Sequence, residues 1–326
     1  MRFRTGLLAI GGWLALAGPL AAQTAAPLAV YGNKQTIEIA PVLLAAEGFY
    51  HGPVSVNAGG IPNLVGEAGA PGVSEPGQAD LATNAETQLL RYSVKHPDLR
   101  IVLGVSEGLY RIVARRSAGI AAVADLKGKR VATIEQTSAG YFLDRMLRRV
   151  GLTFDDIEAK PIVPLAGMSE ALRKGEVDAV VIWEPEAEKA ARALGGDAIE
   201  FSGKGVYREL FNLNTTAGKL ADPQERRRIV SFVRAVVEAG AKMKQDPSRA
   251  KVLVAAASGF DPREVADSWA HHRFVPGLPA DLLDVMAEEE QWLAARDKRS
   301  ARTRAELATL IDTGAYREAL AQGARR

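Results

Sequence analysis

Three short segments place small hydroxyl, amide and carboxyl residues where an apolar run is followed by a helical pattern. They are residues 82–87 (ATNAET), 136–141 (QTSAGY) and 183–185 (WEP). The first backbone N–H groups of a helix have no partner inside the helix, and the helix dipole adds positive charge there. Small residues let a ligand approach these N–H groups, while hydroxyl and amide groups add donors and acceptors. This combination favours the binding of a small polar molecule without its conversion.

Each of these junctions also has a structural interpretation. Thr83 and Glu86 form the capping-box pattern, and Ser138 could cap the helix that it begins. Glu184 could do no more than place its negative charge at the positive end of the helix dipole, and Trp183 could be a core residue at the end of a strand. For each junction taken alone these alternatives stay open. The binding interpretation rests on all three lying at the carboxyl ends of strands, where open α/β sheets bind their ligands.

The predicted ligand-binding residues come from these junctions and from two further segments. Tyr110 lies on a predicted strand, where it could stack on a planar ligand or serve only packing. Asn214, in FNLNTT, could contact a ligand or serve a turn or a sheet edge. The full set is Asn84, Ala85, Glu86, Thr87, Tyr110, Thr137, Ser138, Ala139, Trp183, Glu184 and Asn214.

Composition and motifs exclude several classes of protein. Lys plus Arg is 41 and Asp plus Glu is 39, so nothing favours a nucleic acid as partner. Cysteine is absent, which removes disulfides, thiolate metal sites and cysteine nucleophiles. His271 and His272 are adjacent and cannot face the same way on a helix, and neither G-x-S-x-G nor H-E-x-x-H occurs. We therefore predict no catalytic residue, no metal ion and no cofactor.

The N-terminal 22 residues have the pattern of a secretory signal peptide. Arg2 and Arg4 precede an apolar segment from Gly6 to Gly18, and small residues follow up to Ala22. A membrane anchor is the alternative, but a span needs about 20 apolar residues and this run is shorter. We expect cleavage near Ala22 and a mature protein that works in the periplasm.

Apolar runs alternate with helical patterns up to about residue 215, and helices follow. The runs predict strands at 36–39, 54–56, 79–82, 99–105, 110–114, 131–134 and 177–183. Beyond residue 222 three Asp-Pro pairs each supply a capping Asp and a Pro at the first helical position. Ile229, Val230, Val233, Val236 and Val237 give one of these helices an apolar face. This order predicts α/β architecture with parallel sheets and a helical C-terminal region.

Two longer segments resemble a known family. DLKGKRVATIEQTSAGYFLDRMLRRVGL and GEVDAVVIWEPEAEKAARALGG are similar to the second lobe of solute-binding proteins of nitrate/sulfonate/taurine-type ABC transporters. That group includes binders related to the thiamine-pyrimidine-precursor proteins. APVLLAAEGFY resembles the family's first helix, and ADLATNAET matches the position of its first-lobe ligand loop. The DLKGK turn alone is weakly specific, whereas its combination with VDAVVIWEP at this distance is specific.

The resemblance implies a type II periplasmic-binding-protein fold, in which two lobes with mainly parallel sheets close over a ligand. Lobe one would comprise residues 27–116 and 207–326, and lobe two residues 117–206. The chain would cross outward near Arg115 to Ala118 and return near Tyr207 to Leu213. Partners would be a membrane permease and its ATPase, which read the closed shape of a monomeric binder.

Four acids near the implied cleft point away from a simple anion as ligand. They are Glu86, Glu107, Glu135 and Glu184, of which Glu107 and Glu135 are better explained as caps or solvated surface acids. If two of the four face the cleft, their field disfavours nitrate and sulfate. We therefore expect a small organic ligand with an amine, amide or heterocyclic nitrogen, while a sulfonate stays open from the resemblance.

Two other functions remain possible at this stage. A relative of the fold synthesises the thiamine pyrimidine, but it uses cysteine-rich iron chemistry, and this chain has no cysteine and four histidines. A ligand-sensing partner of a membrane receptor would use the same fold without transport, and the sequence does not separate it from a transport protein.

Overall fold

The computed structural model describes residues 26–68 and 75–323. The predicted signal peptide lies outside these residues. Within them, no helix is both long enough and apolar enough to cross a membrane.

The strands, in chain order, are β1 (Leu28–Gly32), β2 (Val54–Ala58), β3 (Leu81–Ala85), β4 (Leu99–Gly108), β5 (Arg111–Arg115), β6 (Arg130–Ala132), β7 (Glu158–Lys160), β8 (Ala179–Val181), β9 (Ala198–Ser202), β10 (Glu209–Thr216) and β11 (His272–Arg273). The α-helices are α1 (Ala40–Gly48), α2 (Ile61–Val65), α3 (Glu86–Tyr92), α4 (Ser138–Arg148), α5 (Gly167–Lys174), α6 (Glu186–Leu194), α7 (Ala217–Ala221), α8 (Pro223–Gln245), α9 (Ser248–Ser258), α10 (Pro262–Ser268), α11 (Leu282–Arg296), α12 (Arg304–Ala308) and α13 (Thr313–Gly323).

The strands form two separate mixed sheets. One has the order β11-β4-β10-β3-β1-β2 and the other has the order β7-β6-β8-β5-β9. Strands β1, β2 and β3 pair in parallel, as do β6, β7 and β8. Strands β10 and β5 run antiparallel to both of their neighbours because each enters its sheet directly from the other one. The predicted α/β class is confirmed, with antiparallel pairs added by these entering strands.

The chain passes between the sheets through two short segments. It leaves the first sheet after β4 at residues 109–110 and returns between β9 and β10 at residues 203–208. The outward crossing precedes the predicted position near Arg115, because β5 already pairs with β8 and β9 in the second sheet. An apolar run such as residues 110–114 fits a buried strand of either sheet. We propose that each sheet with its flanking helices is one lobe, with the first boundary at residues 109–110.

The first strand lies earlier in the chain than its pattern predicts. Residues 36–39 form the turn that leads into α1, whereas β1 spans Leu28–Gly32. The sequence alternates in residue type here, but Thr36, Ile37, Glu38 and Ile39 are all buried. The predicted strand at residues 36–39 is wrong, because polar and apolar residues alternate there while all four side chains are buried.

The long C-terminal helix α8 packs its apolar face against the first sheet and α1. Asp222 caps it by accepting hydrogen bonds from the backbone N–H groups of Gln224 at 2.7 Å and Glu225 at 2.9 Å. Ile229, Val230, Val233 and Val236 are buried, as their spacing predicts. Phe232, on the same helix, is fully buried and meets the ring of Tyr50 edge-on at 5.4 Å.

We expect Phe232→Ala to lower the free energy of unfolding by about 3–5 kcal/mol, because it removes a buried aromatic ring and leaves a cavity. Chemical denaturation measures this difference. Val252→Ala on α9 is the control, since Val252 is 55% exposed and its truncation should change stability by less than about 0.5 kcal/mol. Equal effects of the two substitutions would contradict the packing described for α8.

Candidate ligand-binding site

The starts of α3 and α4 belong to different sheets and meet where the two lobes touch. Gln88 Nε2 on α3 donates to the backbone carbonyl of Gln136 at 3.0 Å, just before α4 begins. Arg91, also on α3, donates to the same carbonyl at 3.1 Å and to the Gln136 side chain at 2.9 Å. Two of the three predicted helix starts are thus brought together by the fold.

Ser138, at the start of α4, joins the two lobes through a buried hydrogen-bond chain. Its hydroxyl lies 2.8 Å from the hydroxyl of Tyr110 and 3.0 Å from Oε1 of Glu209. Tyr110 lies on the outward crossing and Glu209 is the first residue of β10. All three side chains are at most 4% exposed. The fold therefore places Ser138 and Tyr110, both predicted to bind a ligand, where elements of the two sheets meet.

Glu86 is fully buried and binds the returning segment of the chain. The hydroxyl of Tyr207 donates to its Oε1 at 2.8 Å, and the backbone N–H of Leu210 donates to its Oε2 at 3.0 Å. Glu289, which projects from α11, lies close enough to Glu86 for the two carboxyl groups to affect each other's pKa.

Glu38, Glu86, Glu209 and Glu289 together form what we call the carboxyl cluster. Each is at most 4% exposed. Burial raises the pKa of Glu209 well above its ordinary value, and the Glu38 and Glu86 carboxylates raise it further. Burial raises the pKa of Glu289 in the same way, with Glu86 adding to the effect. Burial also raises the pKa of Glu86 to about 6, although the hydrogen bonds from Tyr207 and from the backbone N–H of Leu210 act against that shift.

His272 is the positively charged partner of this cluster. Its Nε2 lies 3.1 Å from Oε1 of Glu38, and its Nδ1 lies 3.1 Å from the backbone carbonyl of Ser268. Burial lowers the pKa of His272, but the Glu38 carboxylate outweighs burial, so the pKa is raised. Burial raises the pKa of Glu38, but His272 outweighs it, so that pKa is lowered. These two groups form a buried ion pair beside carboxyls that cannot all be ionised.

The third predicted junction borders the same region from the second lobe. Glu184 is 4% exposed, its Oε1 lies 3.0 Å from Nη2 of Arg111, and its Oε2 accepts from the backbone N–H of Glu188 at 2.9 Å. Burial raises the pKa of Glu184 to about 7, although Arg111 lowers it. The indole N–H of Trp183 is buried and has no hydrogen-bond partner among the described residues.

Only a small space remains between these groups. A cavity of about 10 Å³ is lined by Glu38, Gly108, Leu109, Tyr110, Ile182, Trp183, Glu184, His271 and His272. That volume is close to the least that holds one water molecule. An organic molecule could occupy this particular space only if the groups that line it moved apart.

The other predicted residues lie around this contact with local structural roles. Asn84 accepts from the backbone N–H of Ile61 at 2.7 Å and so caps α2. Thr137 caps α4 by accepting from the N–H of Ala139 at 3.2 Å. Asn214 is buried within the first sheet, where its amide donates to the carbonyl of Ala82 at 3.1 Å. Ala85, Thr87 and Ala139 are buried beside the helix starts. None of these six contacts the carboxyl cluster through a hydrogen bond among the described residues.

Glu107 and Glu135 are engaged in ion pairs. Glu107 is 8% exposed and pairs with Arg273 at 2.9 Å and Arg208 at 3.3 Å, so its interpretation as a cap or a solvated acid is wrong. The side chain of Glu135 is 38% exposed and pairs with Arg296 of α11 at 2.6 Å. Neither belongs to the carboxyl cluster.

Several residues of the site were not predicted from the sequence. Glu38 was assigned to a strand, Glu289 lies in a helix with no unusual local pattern, and Tyr207 and Glu209 lie on the predicted return crossing. His272 belongs to no metal or catalytic pattern in the sequence, and it is buried against Glu38. The return crossing is the available signal, because side chains on a segment that joins two sheets lie near the contact between those sheets.

Comparisons with known proteins bear on the family and the fold. The model of the "NMT1/THI5 like" family matches residues 61–250. A protein of Escherichia coli (strain K12), named as an aliphatic sulfonates-binding protein, is 32% identical over 185 residues. That alignment spans 55% of this chain and 55% of the relative, so the chain spans about half the length of the curated relative that it matches.

Solved structures share the fold over most of the chain. The alkanesulfonate-binding protein SsuA from Xanthomonas axonopodis pv. citri, bound to MOPS, has a TM-score of 0.65 and 21% identity, covering 89% of this chain and 99% of its own. The desulfurization enzyme DSZB has a TM-score of 0.63 and 18% identity, covering 90% of this chain and 99% of its own. The predicted periplasmic-binding-protein fold is thereby confirmed, and the fold is also one that an enzyme uses.

We expect Glu184→Gln to flatten the dependence of thermal stability on pH. The raised pKa means that the folded protein holds a proton on Glu184 where the unfolded chain has lost it. Its contribution is therefore fully present below the ordinary carboxyl pKa and is lost as pH rises through about 7. The loss is on the order of 3 kcal/mol, and glutamine cannot undergo it.

Melting temperatures between pH 5 and pH 8 measure this difference. Glu176→Gln changes an exposed glutamate of the second lobe and serves as the control, so its curve should parallel that of the unaltered protein. If the Glu184→Gln curve is parallel as well, the carboxyl of Glu184 does not titrate as its burial requires.

Proposed function

The chain belongs to the NMT1/THI5-like family, and we propose that it is the extracytoplasmic solute-binding component of an ABC importer. It would capture a small polar organic molecule in the cleft between its lobes and release it unchanged. The observation that carries the proposal is the buried chain of hydrogen bonds from Tyr110 through Ser138 to Glu209, which joins the start of α4 to the first sheet beside the two crossings. A hinge motion at the crossings would make and break these contacts.

The charge of the cleft favours a ligand that carries an amine, amide or heterocyclic nitrogen. The carboxyl cluster supplies four acidic groups, and Glu184 adds a fifth from the second lobe. His272 and Arg111 are already paired with Glu38 and with Glu184 and Glu188. A nitrate, sulfate or sulfonate group would therefore find acidic groups and no unpaired cation among these residues, whereas an N–H donor would find buried oxygen acceptors and would favour their ionised form. The proposed ligand would thus not be a sulfonate, the ligand class for which the relatives are named.

We propose a binder in preference to an enzyme. No nucleophilic cysteine is available, and no group of three potential metal ligands occurs among residues 26–68 and 75–323. The carboxyl cluster is a candidate acid–base system, so the enzyme alternative rests on a specific feature and needs its own test. In the transport role the protein would work in the periplasm as a monomer and present its closed shape to a permease and ATPase. The sensing role differs only in its membrane partner.

We expect a thermal-shift panel to separate the ligand classes. Amines, amidines and aminopyrimidines should raise the melting temperature, while nitrate, sulfate and ethanesulfonate should not. A ligand present at 100 times its dissociation constant should add roughly 2.7 kcal/mol of stability. Mass spectrometry of small molecules that co-purify with the exported protein supplies the natural candidates.

Matched variants locate the binding site in this panel. Ser138→Ala should weaken the response, since it removes the hydroxyl that links the lobes. Ser169→Ala, on α5 in the same lobe, should leave the response unchanged. Tight binding of nitrate or sulfate with no response to nitrogen compounds would refute the ligand class, and a lack of response to every compound would count against the binding function.

Incubation of the purified protein with its best ligand should return that ligand unchanged. Chromatography coupled to mass spectrometry measures the compound before and after incubation. A product that forms in proportion to protein concentration would favour the enzyme alternative. Deletion of the gene should abolish cellular uptake of the ligand if the role is transport, whereas a sensing role would leave uptake intact.

A further inference from the structure

We propose that the carboxyl cluster makes closure of the free protein proton-dependent, so that the empty lobes close at acidic pH and separate as the pH rises. This inference rests on the proposed function, because it describes how the same interlobe site is regulated. It concerns the protein without ligand, which allows the two ideas to fail separately.

The first lobe holds more buried acid beside its contact with the second lobe than the neighbouring cations neutralise. Full ionisation of Glu38, Glu86, Glu209 and Glu289 would bring four negative charges together, and His272 compensates one of them through Glu38. Ionised carboxylates that are buried without a partner are costly, so the closed form must hold protons on part of the cluster. Both oxygens of Glu289 lack an ordinary hydrogen-bond partner among the described residues, as does Oε2 of Glu209.

The neighbouring elements supply few further charges. The titratable and charged groups that face the cluster are His272 of β11, Tyr110 and Tyr207 of the crossings, Tyr141 of α4 with its neighbours Arg145 and Glu288, and Glu184 with Arg111, His271 and Glu188. The tyrosines are neutral and donate hydrogen bonds, as Tyr207 does to Glu86. Arg111 is held by Glu184 and Glu188, and Arg145 by Glu288. These cations are therefore committed to other acids.

Closure must change the environment of at least one cluster member. Glu209 meets Ser138 and Tyr110 only where the second lobe reaches the first, and Gly108 beside it is so close that a Cβ there would lie 2.7 Å from Oε2 of Glu209. Separation of the lobes would expose this carboxyl to water and return its pKa toward the ordinary range. Closing therefore takes up protons, and the closed-to-open ratio falls as the pH rises.

The test measures the distance between the lobes in the ligand-free, full mature chain. The sequence has no cysteine, so Val94→Cys and Val163→Cys introduce a unique pair of labelling sites, one on each lobe. Both valines are exposed, at 46% and 79%. Electron-spin or fluorescence distance measurements between pH 5 and pH 9 then report the closed fraction. We expect the closed-to-open ratio to fall by up to about tenfold per pH unit for each proton taken up.

Substitutions within the cluster identify the protons. Glu209→Gln and Glu289→Gln mimic the protonated carboxyl, so each should reduce the pH dependence, and the double variant should reduce it most and favour the closed lobes. Glu176→Gln, outside the cluster, should leave the pH dependence unchanged. The single variants keep the test decisive if the double variant fails to fold.

Two outcomes would overturn the inference. One is an interlobe distance that does not vary with pH in the free protein, and the other is a variation that survives in both single variants undiminished. If the interlobe distance does not vary with pH but the best compound from the thermal-shift panel closes the lobes at pH 8, the proton-dependent closure is refuted and the binding function is supported. If the free protein responds to pH and no compound closes it, the proton-dependent closure is supported and the binding function is refuted.

Discussion

Burial of carboxyl groups between two connected sheets is the constraint on which the rest of this structure depends. Glu38 precedes α1, Glu86 begins α3, Glu209 begins β10 and Glu289 lies on α11. Local structure alone cannot bring these four side chains together, because they come from four separate parts of the chain. Their burial is tolerated only if protons, His272 or a ligand compensate their charge. Under the proposed hinge motion, each of these compensations would link the position of the lobes to the chemistry of the surrounding solution.

The two crossings place this cluster beside the pivot of the molecule. Tyr110 and Tyr207 lie on the outward and returning segments, and their rings are 5.8 Å apart. Through Ser138, Glu209 and Glu86 these tyrosines contact both lobes. A rotation about the crossings would therefore change the cluster's hydrogen bonds directly. Under the proposed hinge motion, the position of the lobes would depend on what neutralises the carboxyls.

The relatives show how little the fold alone says about the ligand. The alkanesulfonate-binding SsuA and the desulfurization enzyme DSZB share this architecture at TM-scores of 0.65 and 0.63. One is a binding protein and the other an enzyme, so function depends on the side chains that each fold presents to its cleft. Here those side chains are predominantly acidic. The proposed ligand class therefore rests on these acidic side chains and not on the shared fold.

The order of apolar runs determined the α/β class, because alternation of strands and helices is a local property of the sequence. Local pattern also placed Ser138 and Glu86 at helix starts, and the carboxyl ends of strands are where α/β folds bind ligands. The sequence did not reveal which sheet residues 111–115 join, because an apolar strand fits either sheet. It also did not reveal that Glu38, Glu209 and Glu289 meet Glu86. Those acids are brought together by contacts between residues distant in the chain, and only the tertiary structure decides which distant residues share one buried space.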